Sequence, residues 1–359
     1  MNSVEKLAEN FDLGSKIVSV RECNVGLING TYFIDTENNR YVLQKINQNV
    51  FKKPEQVMAN IVAVTKHIKK KIKKEHDEGN GCTLDFLRSG KNYFFYDEEG
   101  EYWRCYKFVE GKSHQACEST ELMTEVGRTF GNFQRLLSDF EASTLYETIP
   151  NFHNTEKRFE TFEKTVAADP VGRAASVADE IEFVRARHAI CGIIVNGIAE
   201  GKYPLRVTHN DTKLNNVIMD AETGKGRCVL DLDTIMPGSL LYDFGDAIRF
   251  GASSAAEDET DLSKVFVKTD MFEAFANGFA EGIADDISND ELDAFPDAAK
   301  IITFETGMRF LTDYIDGDNY FRTAYPNHNL DRARNQFKLV SDMESKEDEF
   351  HTIINKLKK

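Results

Sequence analysis

The sequence predicts an α+β protein built of two lobes, the first rich in β-strands and the second rich in α-helices. Short runs of β-branched and aromatic residues dominate residues 1–109, whereas apolar residues recur at helical spacing from residue 121 onward. One β-hairpin, at residues 217–230, interrupts the helical part. We therefore expect an N-terminal lobe at residues 1–110 and a C-terminal lobe at residues 111–359.

The N-terminal lobe begins with a short amphipathic helix at residues 4–11. Residues 54–74 form a longer helix, with Pro54 in its first turn. One face of this helix is apolar and should be buried, at Val57, Ile61, Val64 and Ile68. Strands are expected at residues 17–20, 31–34, 40–46, 93–96 and 102–109, with a turn at residues 97–100.

The C-terminal lobe is expected to be mainly a series of helices. The first spans residues 122–140 and presents one apolar face, formed by Leu122, Val126, Phe130, Phe133 and Leu137. His153 and His188 are isolated histidines in helical segments, and we expect them to be structural. The further helices are predicted at residues 152–166, 181–198, 271–283, 291–295, 298–314 and 330–357.

Composition and charge narrow the classes of function. The net charge of −16 makes the chain a poor candidate for nonspecific binding to DNA or to anionic membranes. No apolar stretch is long enough to predict a membrane span, and the first residues lack the apolar core of a signal peptide. The six cysteines form no C-x-x-C pair, which argues against zinc and fits reduced thiols. We expect a cytoplasmic protein without nucleic-acid or membrane partners.

The hairpin carries acidic residues at one end. Residues 217–219 and 228–230 are its predicted strands, and residues 220–226 form the polar turn between them. Asp231 and Asp233 stand at the exit of the second strand. Because a hairpin brings its two ends together, these aspartates should lie near the residues that precede the first strand.

Those preceding residues complete a set that suits phosphoryl transfer. Asp211 follows His209 by two residues, and Asn216 follows Asp211 by five. Phosphoryl transfer needs one carboxylate to take the proton of the acceptor hydroxyl, and an amide and a second carboxylate to hold Mg²⁺ on the ATP phosphates. The spacing H-x-D-x-x-x-x-N followed by an aspartate at a strand end matches the catalytic loop and metal aspartate of kinases. The alternative interpretation is a surface hairpin with polar turn residues.

This pattern assigns a role to each residue. Asp211 is the candidate catalytic base, and Asn216 and Asp231 are the candidate metal ligands. Lys213 has a counterpart in protein kinases that touches the transferred phosphate. Asp243, further along the chain, is expected to brace the catalytic loop without binding metal, as a corresponding acid does in related kinases.

The similarity extends beyond the motif. The stretches THNDTKLNN and LDLDTIMPGSLLYDFGDAIRFGAS resemble the aminoglycoside-phosphotransferase-like kinases. Together with LQKIN, NFHNTEKRF and GMRFLTDYIDGDNYF, they resemble in particular the N-acetylhexosamine 1-kinases, in order over nearly the whole chain. This resemblance implies a two-lobed, protein-kinase-like fold. It also implies ATP- and Mg²⁺-dependent phosphorylation of N-acetylglucosamine or N-acetylgalactosamine at the anomeric C1 hydroxyl, giving the sugar 1-phosphate and ADP.

The nucleotide is expected to bind the N-terminal lobe. Residues 23–30 form a loop between strands whose backbone could approach phosphates, although as an isolated signal it predicts an ordinary hairpin turn. Residues 106–111 are interpreted as a hinge whose backbone binds adenine, or alternatively as an edge strand ending at Gly111. The candidate nucleotide-binding residues are Gly26, Asn29, Gly30, Thr31, Gln44, Tyr106, Phe108 and Glu110.

Gln44 stands where kinases usually carry a phosphate-holding lysine, and Lys45 follows it. Side chains alternate along a strand, so Lys45 should point away from the site if Gln44 points into it. Lys45 is then a solvated edge lysine, and the alternative is that Lys45 itself reaches a phosphate.

By resemblance, Arg309 and Tyr320 contact the sugar, together with Asp211 and Asp233. Leu27 stands where related sugar kinases carry a histidine, so its contact with the sugar is an open point. Arg309 has an alternative, an ion pair within its helix, because Glu305 and Asp313 each lie four residues away.

Two other functions stay open at this point. One is a kinase of another small alcohol, such as choline, homoserine, methylthioribose or an aminoglycoside. Choline sites need an aromatic cage and aminoglycoside sites need dense carboxylates, whereas Arg309 suits a neutral sugar better. The other is an inactive kinase that serves as an interaction module, which the glutamine at position 44 allows.

Overall fold

The structure is a computed structural model that describes residues 3–23, 29–75 and 82–358. In these ranges the α-helices, α1 to α12, are Ser3–Ala8, Pro54–Glu75, Thr120–Leu136, Thr155–Ala168, Ala178–Arg185, Gly192–Ala199, Leu240–Gly251, Thr269–Ile283, Asn289–Asp293, Phe295–Asp316, His328–Ser345 and Glu347–Asn355. The strands in the same ranges, β1 to β9, are Ile17–Cys23, Gly30–Thr36, Arg40–Lys45, Phe95–Tyr96, Tyr102–Lys107, Arg206–Thr208, Val217–Met219, Gly226–Val229 and Met236–Gly238.

The chain forms two compact units. The sheet unit consists of Met1–Ser113, Asp139–Ile149 and Asn216–Pro237. The helical unit consists of His114–Ser138, Pro150–Asn215 and Gly238–Lys359. The lobe boundary expected after residue 110 stays a prediction.

The sheet unit is built on a five-stranded antiparallel sheet with the strand order β1-β2-β3-β5-β4. Its core contains Leu43 of β3 and Cys105 of β5, which pack with Ala8 of α1. Since side chains alternate along a strand, Gln44 and Arg104 then lie on the opposite face of the sheet. They are also directly paired across β3 and β5.

Helix α2 buries the predicted face, including Val57, Ile61, Val64 and Ile68, which confirms that expectation. The same helix joins distant parts of the sheet unit. The side-chain amide of Asn60 donates hydrogen bonds to the carbonyl oxygens of Tyr146 and Ile235, at 2.8 and 2.9 Å. Two segments far apart in the chain are thereby fixed to one helix.

The predicted hairpin is present as β7 and β8, an antiparallel pair in which Ile218 lies opposite Cys228. Lys112 exchanges two backbone hydrogen bonds with Met219, at 2.9 and 2.8 Å. Gly111 has a φ of 148°, and a Cβ placed there would lie 2.4 Å from both Ile218 Cγ2 and the carbonyl oxygen of Met219. Only glycine therefore allows the end of the predicted hinge to approach the hairpin so closely.

The helical unit brings α3 and α8 into backbone contact. A Cβ at Gly131 would lie 2.2 Å from the carbonyl oxygen of Phe279, and one at Gly278 would lie 1.9 Å from that of Thr124. Beside this pair, Phe244 of α7 stacks on Phe295 of α10, with 3.7 Å between the ring centroids. The structure thus confirms the predicted α+β class, with a β-rich and a helix-rich part.

Two long predicted helices are each broken in two. The segment 181–198 becomes α5 and α6, and the chain between them tightens into a 3₁₀ turn at His188–Ile190. The segment 330–357 becomes α11 and α12, separated by Lys346, whose ammonium donates to the carbonyl oxygen of Val267 at 2.6 Å. Tertiary contacts that sequence periodicity does not encode override the helical pattern at both breaks.

Two smaller differences concern α3. It ends at Leu136, so Leu137 is buried beyond the helix end, while Leu122 is only half-buried and Met123 takes the core position. No helix among the described residues has the length and apolar character needed to cross a membrane.

Candidate active site

In the helical unit, the loop that follows β6 carries Asp211. The buried carboxylate of Asp243, in the first turn of α7, accepts the backbone N–H groups of His209 at 3.0 Å and Asn210 at 2.8 Å. It also accepts the side-chain amide of Gln134 at 2.8 Å. The expectation that Asp243 braces this loop is confirmed. Burial raises the pKa of Asp243, while His209 and these hydrogen bonds oppose the increase.

The residue after Asp211 is held from the same helix. Thr212 donates its hydroxyl to the carbonyl oxygen of Asp243 at 2.6 Å and its backbone N–H to Asp246 at 2.9 Å. Asp246 in turn pairs with Arg249 at 3.1 Å. Contacts on both sides of Asp211 therefore fix its backbone.

Lys213 lies beside the candidate base. Its ammonium is 2.8 Å from the Asp211 carboxylate and 4.9 Å from the centroid of the Phe250 ring. Burial disfavours the charged form, but the carboxylates of Asp211 and Asp246 outweigh that effect and raise the pKa of Lys213. The structure thus joins the two predicted catalytic residues into one ion pair.

In the sheet unit, the open end of the hairpin carries Asn216 and Asp231. The backbone N–H of Leu230 donates to the carbonyl oxygen of Asn216 at 2.7 Å, which places the start of β7 beside the end of β8. Asp231 has a left-handed backbone with φ 53° and begins a 3₁₀ turn. The amide and carboxylate oxygens of this pair fit Mg²⁺, which commonly takes one or two protein ligands and completes its shell with phosphate and water. The described residues hold no cluster of three or more His, Cys, Asp or Glu suited to a metal.

Asp233, in the same turn, is engaged on both carboxylate oxygens. One oxygen forms an ion pair with Arg104 of β5, and the other accepts the Asn29 side-chain amide at 2.6 Å. The Arg104 and Asp233 side chains are each only 3% exposed. Asp233 was expected to contact the sugar, and here it sits in a buried polar network of the sheet unit.

Gln44 belongs to that network, whereas Lys45 does not. The Gln44 side-chain oxygen accepts two hydrogen bonds from Arg104, at 3.0 and 2.8 Å, and its amide donates to Thr31 at 3.2 Å. The ammonium of Lys45 pairs instead with Glu101 at 2.8 Å and is 40% exposed. Arg104 thus supplies the positive charge beside Gln44.

Among the described residues, the remaining candidate nucleotide-binding residues do not belong to the hydrogen-bonded network of Arg104 and Asp233. Phe108 lies edge-on to Phe33 with 5.7 Å between ring centroids, and its backbone N–H donates to Arg40 at 3.0 Å. Burial raises the pKa of Tyr106. Glu110 is exposed, and Gly30 begins β2. Gly26 and Leu27 lie outside the residues that the structure describes.

Arg309, in α10 of the helical unit, is surrounded by aromatic rings. Its guanidinium carbon lies 5.5 Å from the centroids of Phe152 and Phe321 and 5.9 Å from that of Tyr320. Tyr320 is 66% exposed. Within the described part of the chain, Arg309 forms no hydrogen bond or ion pair.

The two acids that were alternative partners of Arg309 are occupied elsewhere. Glu305, fully buried, accepts from His153 at 2.8 Å and from Thr155 at 2.6 Å. Burial favours its neutral form, but His153 outweighs this and keeps the pKa of Glu305 below its ordinary value. Asp313 accepts the backbone N–H groups of residues 319–321, at 2.8–2.9 Å, and so shapes the loop that carries Tyr320.

The sequence profile of the phosphotransferase enzyme family, APH, matches residues 19–265, which is more than half of the chain. The chain belongs to this phosphotransferase family. The match contains the braced Asp211 loop, the hairpin and the Arg104 network.

Solved structures show the same fold in other phosphotransferases. A microcompartment-associated aminopropanol kinase is 12% identical, over 97% of this chain and 98% of its own, with a TM-score of 0.62. An aminoglycoside phosphotransferase from Alicyclobacillus acidocaldarius is 11% identical, over 98% and 96%, with a TM-score of 0.60. A choline kinase from Cryptosporidium parvum is 12% identical, over 94% and 92%, with a TM-score of 0.57. These likenesses confirm the predicted kinase-like fold.

Sequence reasoning missed Arg104 in this phosphotransferase. The available signal was an arginine within the aromatic strand YWRCYK, on the face opposite Trp103 and Cys105. Its partner Asp233 is 129 residues away in the chain, so the pattern of the strand alone does not reveal the ion pair.

Proposed function

We propose that this phosphotransferase is a sugar 1-kinase. It would transfer the γ-phosphoryl group of ATP to the anomeric C1 hydroxyl of N-acetylglucosamine or N-acetylgalactosamine, releasing ADP and the sugar 1-phosphate. Membership of the phosphotransferase family supports the reaction type. The resemblance of the whole sequence to N-acetylhexosamine 1-kinases supports the acceptor. We also propose a cytoplasmic location, which would suit a reaction that consumes ATP.

The observation that carries the choice of acceptor is the Arg309 cluster. A guanidinium among three aromatic rings, with its two nearby acids engaged elsewhere, offers hydrogen-bond donors to neutral oxygen atoms. Arg158 lies close enough that Arg309 adds to burial in lowering its pKa. Two neighbouring guanidinium groups repel an ammonium substrate such as choline or an aminoglycoside. They favour a neutral sugar whose hydroxyl and acetyl oxygens accept hydrogen bonds.

Asp211 is the residue proposed to take the proton. Its carboxylate would accept the hydrogen of the C1 hydroxyl as that oxygen forms its bond to phosphorus. The brace from Asp243 keeps the Asp211 backbone fixed during this step. The Lys213 ammonium, already paired with Asp211, would interact with the transferred phosphoryl group, which carries negative charge.

Nucleotide and metal are proposed to bind residues of the sheet unit. Asn216 and Asp231 would hold Mg²⁺, which when bound offsets negative charge on the ATP phosphates. Backbone groups of Tyr106, Phe108 and Glu110 would hold adenine. The candidates nearest the phosphates stay those of the sequence prediction, Gly26, Asn29, Gly30, Thr31 and Gln44, and Leu27 stays a candidate for the sugar.

A substrate panel tests the proposal. ADP release is measured with MgATP alone and with N-acetylglucosamine, N-acetylgalactosamine, choline, ethanolamine or kanamycin added at equal concentration. We expect turnover with the two acetylated sugars and only background with the amines. If only choline, ethanolamine or kanamycin supported turnover, the acceptor would be another small alcohol and not an acetylated sugar. No turnover with any acceptor, despite nucleotide binding, would favour an inactive kinase.

Arg309→Lys then tests the proposed contact between Arg309 and the sugar, because lysine keeps the charge but loses the planar set of donors. The KM for the sugar should rise about tenfold or more, with kcat also lowered. Arg322→Lys, an exposed arginine further along the same chain region, is the matched control. Equal sugar KM values for both variants would remove Arg309 from the sugar site.

A further inference from the structure

Arg104 is a buried cation whose role the sequence did not predict. Its guanidinium pairs with Asp233 and donates twice to Gln44, and both members of the ion pair are almost completely inaccessible to solvent. Burial opposes the charge, but the Asp233 carboxylate outweighs burial and raises the pKa of Arg104. The group therefore remains a full positive charge inside the sheet unit.

A buried ion pair of this kind is not expected to add much to the net stability of the fold. The desolvation of two buried charges often cancels their attraction, and well-packed apolar residues of similar volume are commonly as stable or more stable. The sheet unit nevertheless places an arginine here and builds the side chains of Gln44, Thr31 and Asn29 around the pair. This arrangement indicates that the positive charge of Arg104 has a functional role beyond stability.

The position of the charge indicates the task. Kinases usually place a lysine on the strand corresponding to β3 to hold phosphates. Here that strand carries Gln44, and Arg104 stands directly opposite it on β5. We propose that Arg104 takes over the cationic position of this strand lysine and acts as the positioning residue for the Asp231–Asp233 turn.

The contacts show how Arg104 would act. It holds Asp233, which stands two residues after Asp231, so the turn between them is anchored at one end. The Asp231 carboxylate also interacts electrostatically with the Arg104 guanidinium. The other carboxylate oxygen of Asp233 accepts a hydrogen bond from the side-chain amide of Asn29. The side-chain oxygen of Asn29 in turn accepts the backbone N–H of Asn47 at 3.0 Å. One cation would therefore order both the candidate metal aspartate and Asn29, one of the candidate nucleotide-binding residues.

The inference rests on the proposed roles of Asp231 and of the sheet unit in binding MgATP. The probe is MgADP, which needs no acceptor, so the result is independent of the sugar assignment. Trp103, the single tryptophan of the chain, is buried on the opposite face of the same strand, so its fluorescence reports on unfolding of this sheet, while ADP binding is followed by titration calorimetry. The affinity for ADP is measured twice, in excess Mg²⁺ and in EDTA.

Three variants separate positioning from packing. Arg104→Gln removes the charge, Arg104→Lys keeps it but loses the planar donors, and the double variant Arg104→Gln with Gln44→Lys moves the charge to β3. Arg21→Gln, which alters an exposed ion pair of the same sheet, is the control. If Arg104→Gln fails to fold, Arg104→Lys and the double variant still carry the test.

We expect Arg104→Gln to weaken MgADP binding by about 10- to 100-fold, as loss of an outer-shell partner does, and Arg104→Lys, which keeps the charge, to weaken it less, with little change in EDTA for either variant. The double variant should recover most of the Mg²⁺-dependent affinity, and the control should match the wild type. Equal losses with and without Mg²⁺, or no recovery in the double variant, would reduce Arg104 to a packing role. Wild-type protein that binds no MgADP would overturn both this inference and the proposed nucleotide site.

Discussion

The backbone of the Asp211 loop is fixed by hydrogen bonds to Asp243 and Asp246 of one helix. The Asp211 carboxylate is about one-quarter exposed and pairs with Lys213, while Asp243 fixes the backbone before it. This is the arrangement expected of a base that must remain charged and reachable by a hydroxyl. Substitution should therefore affect the reaction far more than the fold.

Asp211→Asn keeps the size and polarity of the side chain but removes the proton acceptor. We expect kcat to fall by about 100-fold or more, while the affinity for MgADP and the melting temperature stay close to wild type. Steady-state kinetics, a nucleotide titration and a thermal melt measure the three quantities. Asp179→Asn, an exposed carboxylate in the first turn of α5, is the control. A kcat of Asp211→Asn within tenfold of wild type would contradict the assignment.

Single residues also show where sequence reasoning stops. The spacing around Asp211 was sufficient to predict the loop, because that motif depends on short separations in the chain, whereas the brace by Asp243 was expected from the counterpart of this residue in related kinases. Arg104 and its carboxylate partner are joined only by tertiary structure. Arg309 is a similar case, because Glu305, its alternative partner within the helix, pairs instead with His153 from a distant segment.

At the scale of elements, the C-terminal end of strand β2 carries a carboxylate with a shifted pKa. Asp35 of β2 accepts hydrogen bonds from Arg40 of β3 and from Ser19 and Arg21 of β1. The hydrogen bond from Arg40, followed by that from Ser19, lowers the pKa of Asp35 from 3.8 to about 2. The folded state thus favours the ionised form more than the unfolded chain does. The contribution of Asp35 to the free energy of unfolding is fully present above the pKa that this residue has in the unfolded chain. It is lost as the pH falls toward the lower pKa of the folded state.

Asp35→Asn should remove this acid-sensitive contribution. The melting temperature of the wild type should fall more steeply between pH 4 and pH 2 than that of the variant, and the two curves should approach each other at the acid end. The difference should be small, because these ion pairs are exposed to solvent. Melting curves across this range measure it, and a difference that stays constant with pH would contradict the lowered pKa.

The contact between α3 and α8 depends on glycine. An alanine at Gly131 would drive its Cβ into the Phe279 carbonyl, and rigid helix backbones cannot move apart without losing contacts along their length. We expect Gly131→Ala to lower the free energy of unfolding by about 1–3 kcal/mol. Urea denaturation measures the loss.

Gly251→Ala is the matched control, because a Cβ there meets only the flexible end of the Met123 side chain. Alanine also has the higher helix propensity, so this variant should be close to neutral. Equal stability of the two variants would show that α3 and α8 are farther apart than described.

The elements that sequence predicted well are those with strong local signals. Helix α2 has a proline start and a clear apolar face, and the hairpin has alternating strands around a polar turn. The predictions failed where a helical pattern continues through a break. Lys346 reaches a carbonyl oxygen of the segment before α8, and Arg187 near the other break pairs with Glu344 of α11. Such contacts lie outside any window of sequence.

At the scale of the whole molecule, the proposed substrates include an anion, ATP, whereas the chain has a net charge of −16. Binding an anion therefore requires local positive charge. In the proposed site, Arg104 would provide it in the sheet unit and Lys213 would provide it in the helical unit. The proposed function depends on these few cations and not on the overall charge of the protein.

The position of the new phosphate tests the central claim most directly. The protein is incubated with MgATP and N-acetylglucosamine, and with the methyl glycoside of the same sugar, whose C1 oxygen is blocked. We predict a product whose phosphorus signal is coupled to the anomeric proton in the NMR spectrum, and no product from the methyl glycoside. A phosphate on C6, or equal turnover of the methyl glycoside, would contradict the 1-kinase assignment.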